Sequence, residues 1–199
     1  MTLQHISPIS NVFIPGLLSG RVAFITGGSS GINLRIAQRF ASAGARVALV
    51  GRDAAKAEAA AQAIRADGGD AIDLSADVRD YDAIEAALRQ VHQRWGAIDV
   101  LLAGAAGNFV APATGMSSHG FRAVIDIDLV GTFNTARAGF GFLRRGSTVI
   151  AMSAAHSLMP VAGQAHVCAA KAGVDMLMRF AQHRMGRARH PLCRHRARP

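Results

Sequence analysis

A doubly wound parallel α/β domain is the fold class this chain predicts, on three observations. Apolar runs of strand length recur at Arg21 to Thr26, Arg46 to Val50, Ala71 to Leu74, Ile98 to Leu102 and Ser147 to Met152. Segments of helical character separate them. Between the first strand and the first helix lies the glycine-rich run Thr26-Gly27-Gly28-Ser29-Ser30-Gly31-Ile32. Strands alternating with helices imply right-handed crossovers and a parallel sheet covered on both faces.

The elements follow in order. Residues 31–43 form the amphipathic helix after the glycine turn, and Ala54 to Arg65 forms a second helix behind Asp53, a suitable N-cap. A third helix is expected from Tyr81 to Trp95. A longer one begins near the cap residues Ser117 and Ser118 and runs to about Arg144, and a last one covers roughly Gly163 to Arg179.

With 199 residues, half of them apolar, the chain can bury one substantial core. We expect an N-terminal extension at 1–19, one domain at 20–179 and a basic, disordered tail at 180–199. Of the net charge of +9, seven Arg and no acidic residue fall in residues 179–199, which leaves only +2 on the rest. The body therefore gives no reason to expect a nucleic-acid surface, and an Arg-rich arm binding DNA is the weakest reading. No segment reaches the length of a membrane span and the start lacks a secretion signal, so the expected compartment is cytoplasmic. Cys168 and Cys193 are too few for a disulfide framework, and reduced thiols are expected. His183, His190, Cys193 and His195 lack metal-site spacing, and no metal is expected.

The glycine turn carries the first functional expectation. Glycines let the backbone approach a dinucleotide pyrophosphate, and a helix start offers unpaired N–H donors and a positive dipole end. Gly27, Ser29, Ser30, Gly31 and Ile32 are the candidate phosphate-side residues. At the end of the second strand, where an acid would hydrogen-bond the ribose 2′-OH, the chain has Gly51 followed by Arg52. A guanidinium there can chelate a 2′-phosphate, so NADP(H) is the expected coenzyme. Asp77 and Val78, after the third strand, are candidates for the adenine side, and Ala105 for the cleft wall beyond the fourth.

With these features the chain resembles the short-chain dehydrogenase/reductase family over residues 20 to about 179, and the resemblance implies a Rossmann fold and oxidoreductase activity. Family members pair the glycine turn with a Tyr-x-x-x-Lys helix and an upstream Ser. Lys171 has the family context Ala169-Ala170-Lys171-Ala172-Gly173, but the Tyr position is Val167 and the Ser position is Ala154. A valine cannot donate a proton. The branch known for lacking that Tyr, the peroxisomal-type 2,4-dienoyl-CoA reductases of fatty acid metabolism, is similar to this chain at Ala105-Ala106-Gly107-Asn108-Phe109, at Asp126-Ile127-Asp128 with Gly131-Thr132-Phe133-Asn134, and at His166. The resemblance implies hydride transfer from NADPH to an activated double bond of an acyl-CoA thioester, followed by protonation through a water held by Asp128 and Lys171. His156 is a second candidate acid, and Asn108 and Phe109 are expected beside the substrate. Val167 and Ala154 support an alternative, a non-catalytic nucleotide-binding protein.

Two departures from the family pattern stand out. The third glycine of the turn is Asn33, which puts a side chain where helix and strand pack closely. After Arg179 the family continues with a Glu-Trp-Gly segment, further strands and a substrate-covering loop, whereas this chain has His, Arg and Pro. Met185 requires ATG and Gly186 begins GG, so a one-nucleotide shift forces a Trp codon there, as a frameshifted gene would. The sheet is accordingly expected to stop after about five strands, with the fifth as an uncovered apolar edge and the chain poorly soluble or weakly active. Oligomerisation is left open.

Overall fold

A computed structural model describes residues 14–185 of the chain. The strands β1 (Val22–Thr26), β2 (Arg46–Gly51), β3 (Asp70–Ser75), β4 (Ile98–Ala103) and β5 (Leu143–Ala151) form one sheet in the order β3-β2-β1-β4-β5. All four pairings are parallel. The order reverses between β1 and β4, the topological switch point at which open α/β sheets bind ligands beyond the carboxyl ends of their strands.

Helices α1 (Gly31–Ser42) and α2 (Ala54–Ala66) cover one face and α3 (Tyr81–Trp95) lies on the other. The alternation of β1 builds both cores. Val22 and Phe24 pack with Ile84, Leu88 and Val91 of α3, while Ala23 and Ile25 pack with Ala37 and Ala41 of α1 and Ala61 and Ile64 of α2. A strand buried on both faces reads as a continuous apolar run, which is why β1, β2 and β4 were legible as such. Asp53 caps α2 by accepting from Lys56 N at 3.0 Å, and Ser117 caps α4 (Ser118–Ile125) by accepting from Gly120 N at 3.0 Å.

The long helix expected from Ser117 to Arg144 is corrected. It divides into α4, a π-helical turn at Asp126–Val130, α5 (Gly131–Gly139) and a 3-10 turn at Phe140–Phe142. The hydroxyls of Thr132 and Thr135 donate to the carbonyls of Asp128 and Gly131, at 2.6 and 2.8 Å. Such back-bonding loosens the regular ladder. The strand β5 accordingly starts at Leu143 rather than Ser147, with its register against β4 shifted between the pairs Ile98–Leu143 and Val100–Thr148. The last helix, α6 (Ala165–Met185), runs six residues past the expected end at Arg179, so residues 180–185 belong to it and not to a disordered tail. Among the described residues β5 and β3 are the two sheet edges, and no helix is long and apolar enough to cross a membrane.

The boundary of the N-terminal extension also shifts. Leu18 donates its N–H to the Ala43 carbonyl at 2.8 Å and packs on the α1–α2 core, so the segment before Arg21 is tied to the domain. The remainder of the expected extension, the tail beyond Met185 and the His183, His190, Cys193 and His195 side chains lie outside the described residues.

Candidate active site

A cleft of about 340 Å³ opens over the carboxyl ends of β1 to β4. Its walls carry Gly27, Ser29, Ser30, Arg52, Val78 and Ala105 from the expected coenzyme set. Gly31, Ile32 and Asp77 stand outside the lining, and Ile32 is 69% exposed. Gly27 has φ +67, and a Cβ there would come within 2.9 Å of Ala105 Cα, so only glycine lets the turn pass this close to the exit of β4. At Gly31, with φ +57, a Cβ would meet nothing within 4 Å. Ser30 is the N-cap of α1 in an extended conformation, and its side chain makes no capping hydrogen bond. The first N–H groups of α1 thus keep their donor capacity beside open space, which is the arrangement that a diphosphate fits.

Beside Arg52 the cleft holds Lys56, a residue that sequence reasoning missed. Lys56 and Lys171 are the only lysines of the chain, and the position of Lys56 in the first turn of α2 was the available signal. Two cations at a helix N-terminus oppose the dipole, and the one carboxylate beside them in the lining, Asp53, is engaged in capping α2. Asp77 is engaged locally: it accepts from Arg79 N at 3.0 Å and from both Nε and Nη2 of Arg79, the latter at 2.6 Å. The Arg79 guanidinium holds its carboxyl below the usual carboxylate range.

Lys171, also expected at the coenzyme, does not line the cleft; it forms an ion pair with Asp128, whose neighbour Ile127 does, Nζ to Oδ2 3.0 Å, with the two residues only 7% and 1% exposed. The π turn carries Asp128, and π turns inserted in helices are frequent at functional sites. Asp128 Oδ1 accepts from Gly107 N at 2.7 Å, and Lys171 Nζ donates to the Met152 carbonyl at 3.0 Å. The pair therefore bridges the loops that leave β4 and β5. An ammonium has three N–H donors, and the hydrogen bond to Met152 leaves Lys171 donor capacity for a ligand, while Asp128 Oδ2 has no hydrogen-bond partner among the described residues.

The remaining expected residues are dispersed around that pair. Val167 is 5% exposed and packs with Val124 and Ala170, and Ala154 is exposed, so neither the Tyr nor the Ser position offers a polar group. His156 lies in a 3-10 turn, and no hydrogen bond or ion pair among the described residues joins it to Lys171 or Asp128. That turn is clamped by Asp175, one helical turn beyond Lys171. The hydroxyls of Ser153 and Ser157 donate to the Asp175 carboxylate and hold it below the usual range, aided by Arg179 and Lys171. Sequence reasoning missed Asp175, for which spacing from Lys171 was the only signal. Asn108 is exposed, and Phe109, 40% exposed, lies against the His166 ring with centroids 4.3 Å apart. His166 is fully buried, with no partner for either ring nitrogen among the described residues.

Comparisons with known proteins agree with this geometry. The family model described as "short chain dehydrogenase" matches residues 21–189. The peroxisomal 2,4-dienoyl-CoA reductase [(3E)-enoyl-CoA-producing] of Rattus norvegicus is 40% identical over 177 residues, covering 87% of this chain and 61% of that protein. The Arabidopsis thaliana protein of the same name is 39% identical, over 84% of this chain and 59% of its own length. The chain thus spans about three-fifths of the length of these curated relatives. Among solved structures, a citronellol catabolism dehydrogenase of Pseudomonas aeruginosa superposes with a TM-score of 0.84 at 33% identity, covering 89% of this chain and 73% of that one. The parallel sheet, the glycine turn at its switch point and the matched residues together establish that this chain belongs to the short-chain dehydrogenase family of oxidoreductases and is related to the 2,4-dienoyl-CoA reductases.

Proposed function

We propose that the chain carries the site of an NADPH-dependent reductase acting on a conjugated acyl-CoA thioester. The observation that carries this reading is the buried Lys171–Asp128 pair, one residue from the cleft-lining Ile127, in a site whose Tyr and Ser positions are Val167 and Ala154. Without a phenol, reduction of a ketone lacks its acid. A conjugated diene thioester needs less, because its dienolate is protonated at carbon, where a water held by an ammonium and a carboxylate suffices.

A nicotinamide coenzyme held in the cleft would supply a hydride for the δ-carbon of the 2,4-diene, leaving the electron pair on the thioester as a dienolate. The α-carbon then takes a proton, and the product is a 3-enoyl thioester, as in the name of the relatives from rat and Arabidopsis. In this chain a spare N–H of Lys171 serves the nicotinamide ribose or the water, and its charge favours the developing enolate. Asp128 orients the ammonium and accepts from the water. In this reading Asn108 and Phe109 belong to the substrate side and Val78 to the adenine side, while Gly27, Ser29 and Ser30 border the diphosphate; Gly31, Ile32 and Asp77 lie outside the cleft lining, and His156 is a candidate acid with no link to the ion pair.

Preference for NADPH over NADH rests on Arg52, just after β2, and Lys56, in the first turn of α2. Arg52→Ala is expected to weaken NADPH binding about tenfold and to leave NADH unchanged, by fluorescence titration. Loss of NADPH absorbance with a 2,4-dienoyl-CoA tests the reaction, and Lys171→Ala is expected to abolish it. The aliphatic residues at 167 and 154 also support a second reading, a nucleotide-binding protein without turnover. NADPH binding with no turnover of dienoyl, enoyl or ketone substrates selects it.

A further inference from the structure

Asn33, the third residue of α1, stands where the family motif has a glycine, and its side chain spans the gap to the exit of β4. Its Nδ2 donates to the Gly104 carbonyl at 2.7 Å. A Cβ on Gly104 would lie 2.6 Å from Asn33 Nδ2 and 2.7 Å from its Cγ and Oδ1. The amide therefore occupies the volume that any side chain at 104 would need. Gly104 is held from the other side as well, since its N–H donates to Thr26 Oγ1 at 3.0 Å.

Both residues line the cleft, Asn33 from the start of α1 and Gly104 from the end of β4. Asn33 Oδ1 is enclosed and has no hydrogen-bond partner among the described residues. An enclosed, unpaired carbonyl oxygen is unfavourable, so the amide is retained for what its other end does. That end ties the start of α1, where Ser30 and Asn33 line the cleft, to the opposite wall at Gly104 and Ala105.

We infer that Asn33 and Gly104 form a matched pair that sets the width of the cleft, which makes Asn33 a coenzyme-positioning residue. The inference rests on the cleft being the coenzyme site. A glycine at 33 with a larger residue at 104 would fill the same space from the opposite side, but without a side-chain amide tying α1 to β4.

The test is a double-mutant cycle on the full chain, read as NADPH affinity by titration, with coenzyme-free thermal unfolding in parallel to correct for the folded fraction. Asn33→Ala loses one enclosed hydrogen bond and is expected to weaken binding about fivefold. Gly104→Ala drives a methyl into the amide and is expected to weaken it about thirtyfold. In the combined variant the methyl enters vacated space, so the penalty returns to about fivefold and the two changes are strongly non-additive. Asn33→Asp keeps the volume and sets a carboxylate against the Gly104 carbonyl, which is expected to weaken binding at least about tenfold. This variant decides the matter if Gly104→Ala fails to fold.

Additive penalties, native affinity in Asn33→Asp, or losses that vanish on correction for folded protein each overturn the matched pair while leaving the functional reading intact. A native chain that binds neither NADPH nor NADH overturns the functional reading, and the inference with it.

Discussion

Two buried aspartates stand near opposite ends of β4, and their partners differ in a way that separates architecture from chemistry. Asp99, at the amino end, is 4% exposed and receives donors on both oxygens: Val22 N at 3.0 Å on Oδ2, with Arg21 at 2.8 Å and Arg144 at 2.6 Å on Oδ1. Both arginines keep about half of their side chains in solvent. Asp128, against the loop at the carboxyl end, is 1% exposed and receives one backbone N–H and one ammonium that is itself buried. A carboxylate saturated by half-solvated guanidinium groups is a clamp for β1, β4 and β5. One that shares a buried ammonium with spare donor capacity is the pair that the proposed function assigns to the ligand.

The largest effect is expected at the second site. Lys171→Met leaves Asp128 as an uncompensated buried charge and should lower stability by about 3–5 kcal/mol in urea unfolding. Adding Asp128→Leu should restore most of that loss, because removing a whole buried pair is far less damaging than removing half of it. Neither variant should turn over substrate. Recovery of turnover in the double variant would break the distinction between the two aspartates.

Asp99→Ala should cost less, about 2 kcal/mol, since Arg21 and Arg144 relax into water while Val22 N loses its acceptor. NADPH affinity should be unchanged in the folded protein, and a parallel loss of affinity would show that the clamp reaches the site. The acid limb of stability adds a second test. Burial alone would raise the Asp99 carboxyl, but the Val22 N–H and the two arginines outweigh it and hold the group below its ordinary value of 3.8. A depressed folded-state value means that the stabilisation is complete above the ordinary carboxylate range and is lost as pH falls through the folded value. Urea unfolding from pH 6 downward should therefore show a stability loss setting in below about pH 4, shallower in Asp99→Asn.

The smallest effect is expected at His156. His156→Ala should change turnover less than about threefold, because no hydrogen bond or ion pair among the described residues links His156 to Lys171 or Asp128. A larger loss would move the proton source from the ion pair to the loop clamped by Asp175.

The same contrast explains what the sequence disclosed. The glycine turn, the strands buried on both faces and the cap at Asp53 are set by neighbours in the chain, so local pattern revealed them. Lys171 and Asp128 were identifiable only through their family context, and Asp128 sits in a π turn, with the Thr132 hydroxyl bonded back to its carbonyl, that has no periodic signature. The early start of β5 was hidden because Arg144-Arg145 followed by Gly146 resembles a basic last turn and a helix stop, whereas Arg144 belongs to the strand and reaches Asp99 across the sheet. Lys56 and Asp175 lay four residues from Arg52 and Lys171 and carried only that spacing as a signal, whereas the Asn33–Gly104 contact joins residues 71 apart, which no local window contains.

If the Asp128–Lys171 pair performs the proton handling that a tyrosine otherwise provides, the carboxylate's charge should be needed for turnover and not for coenzyme binding. The decisive measurement is the rate of NADPH oxidation with a 2,4-dienoyl-CoA by the native chain and by Asp128→Asn, at matched coenzyme occupancy. A fall of about a hundredfold in the variant is expected, with NADPH affinity retained; equal rates in the two proteins would contradict the assignment.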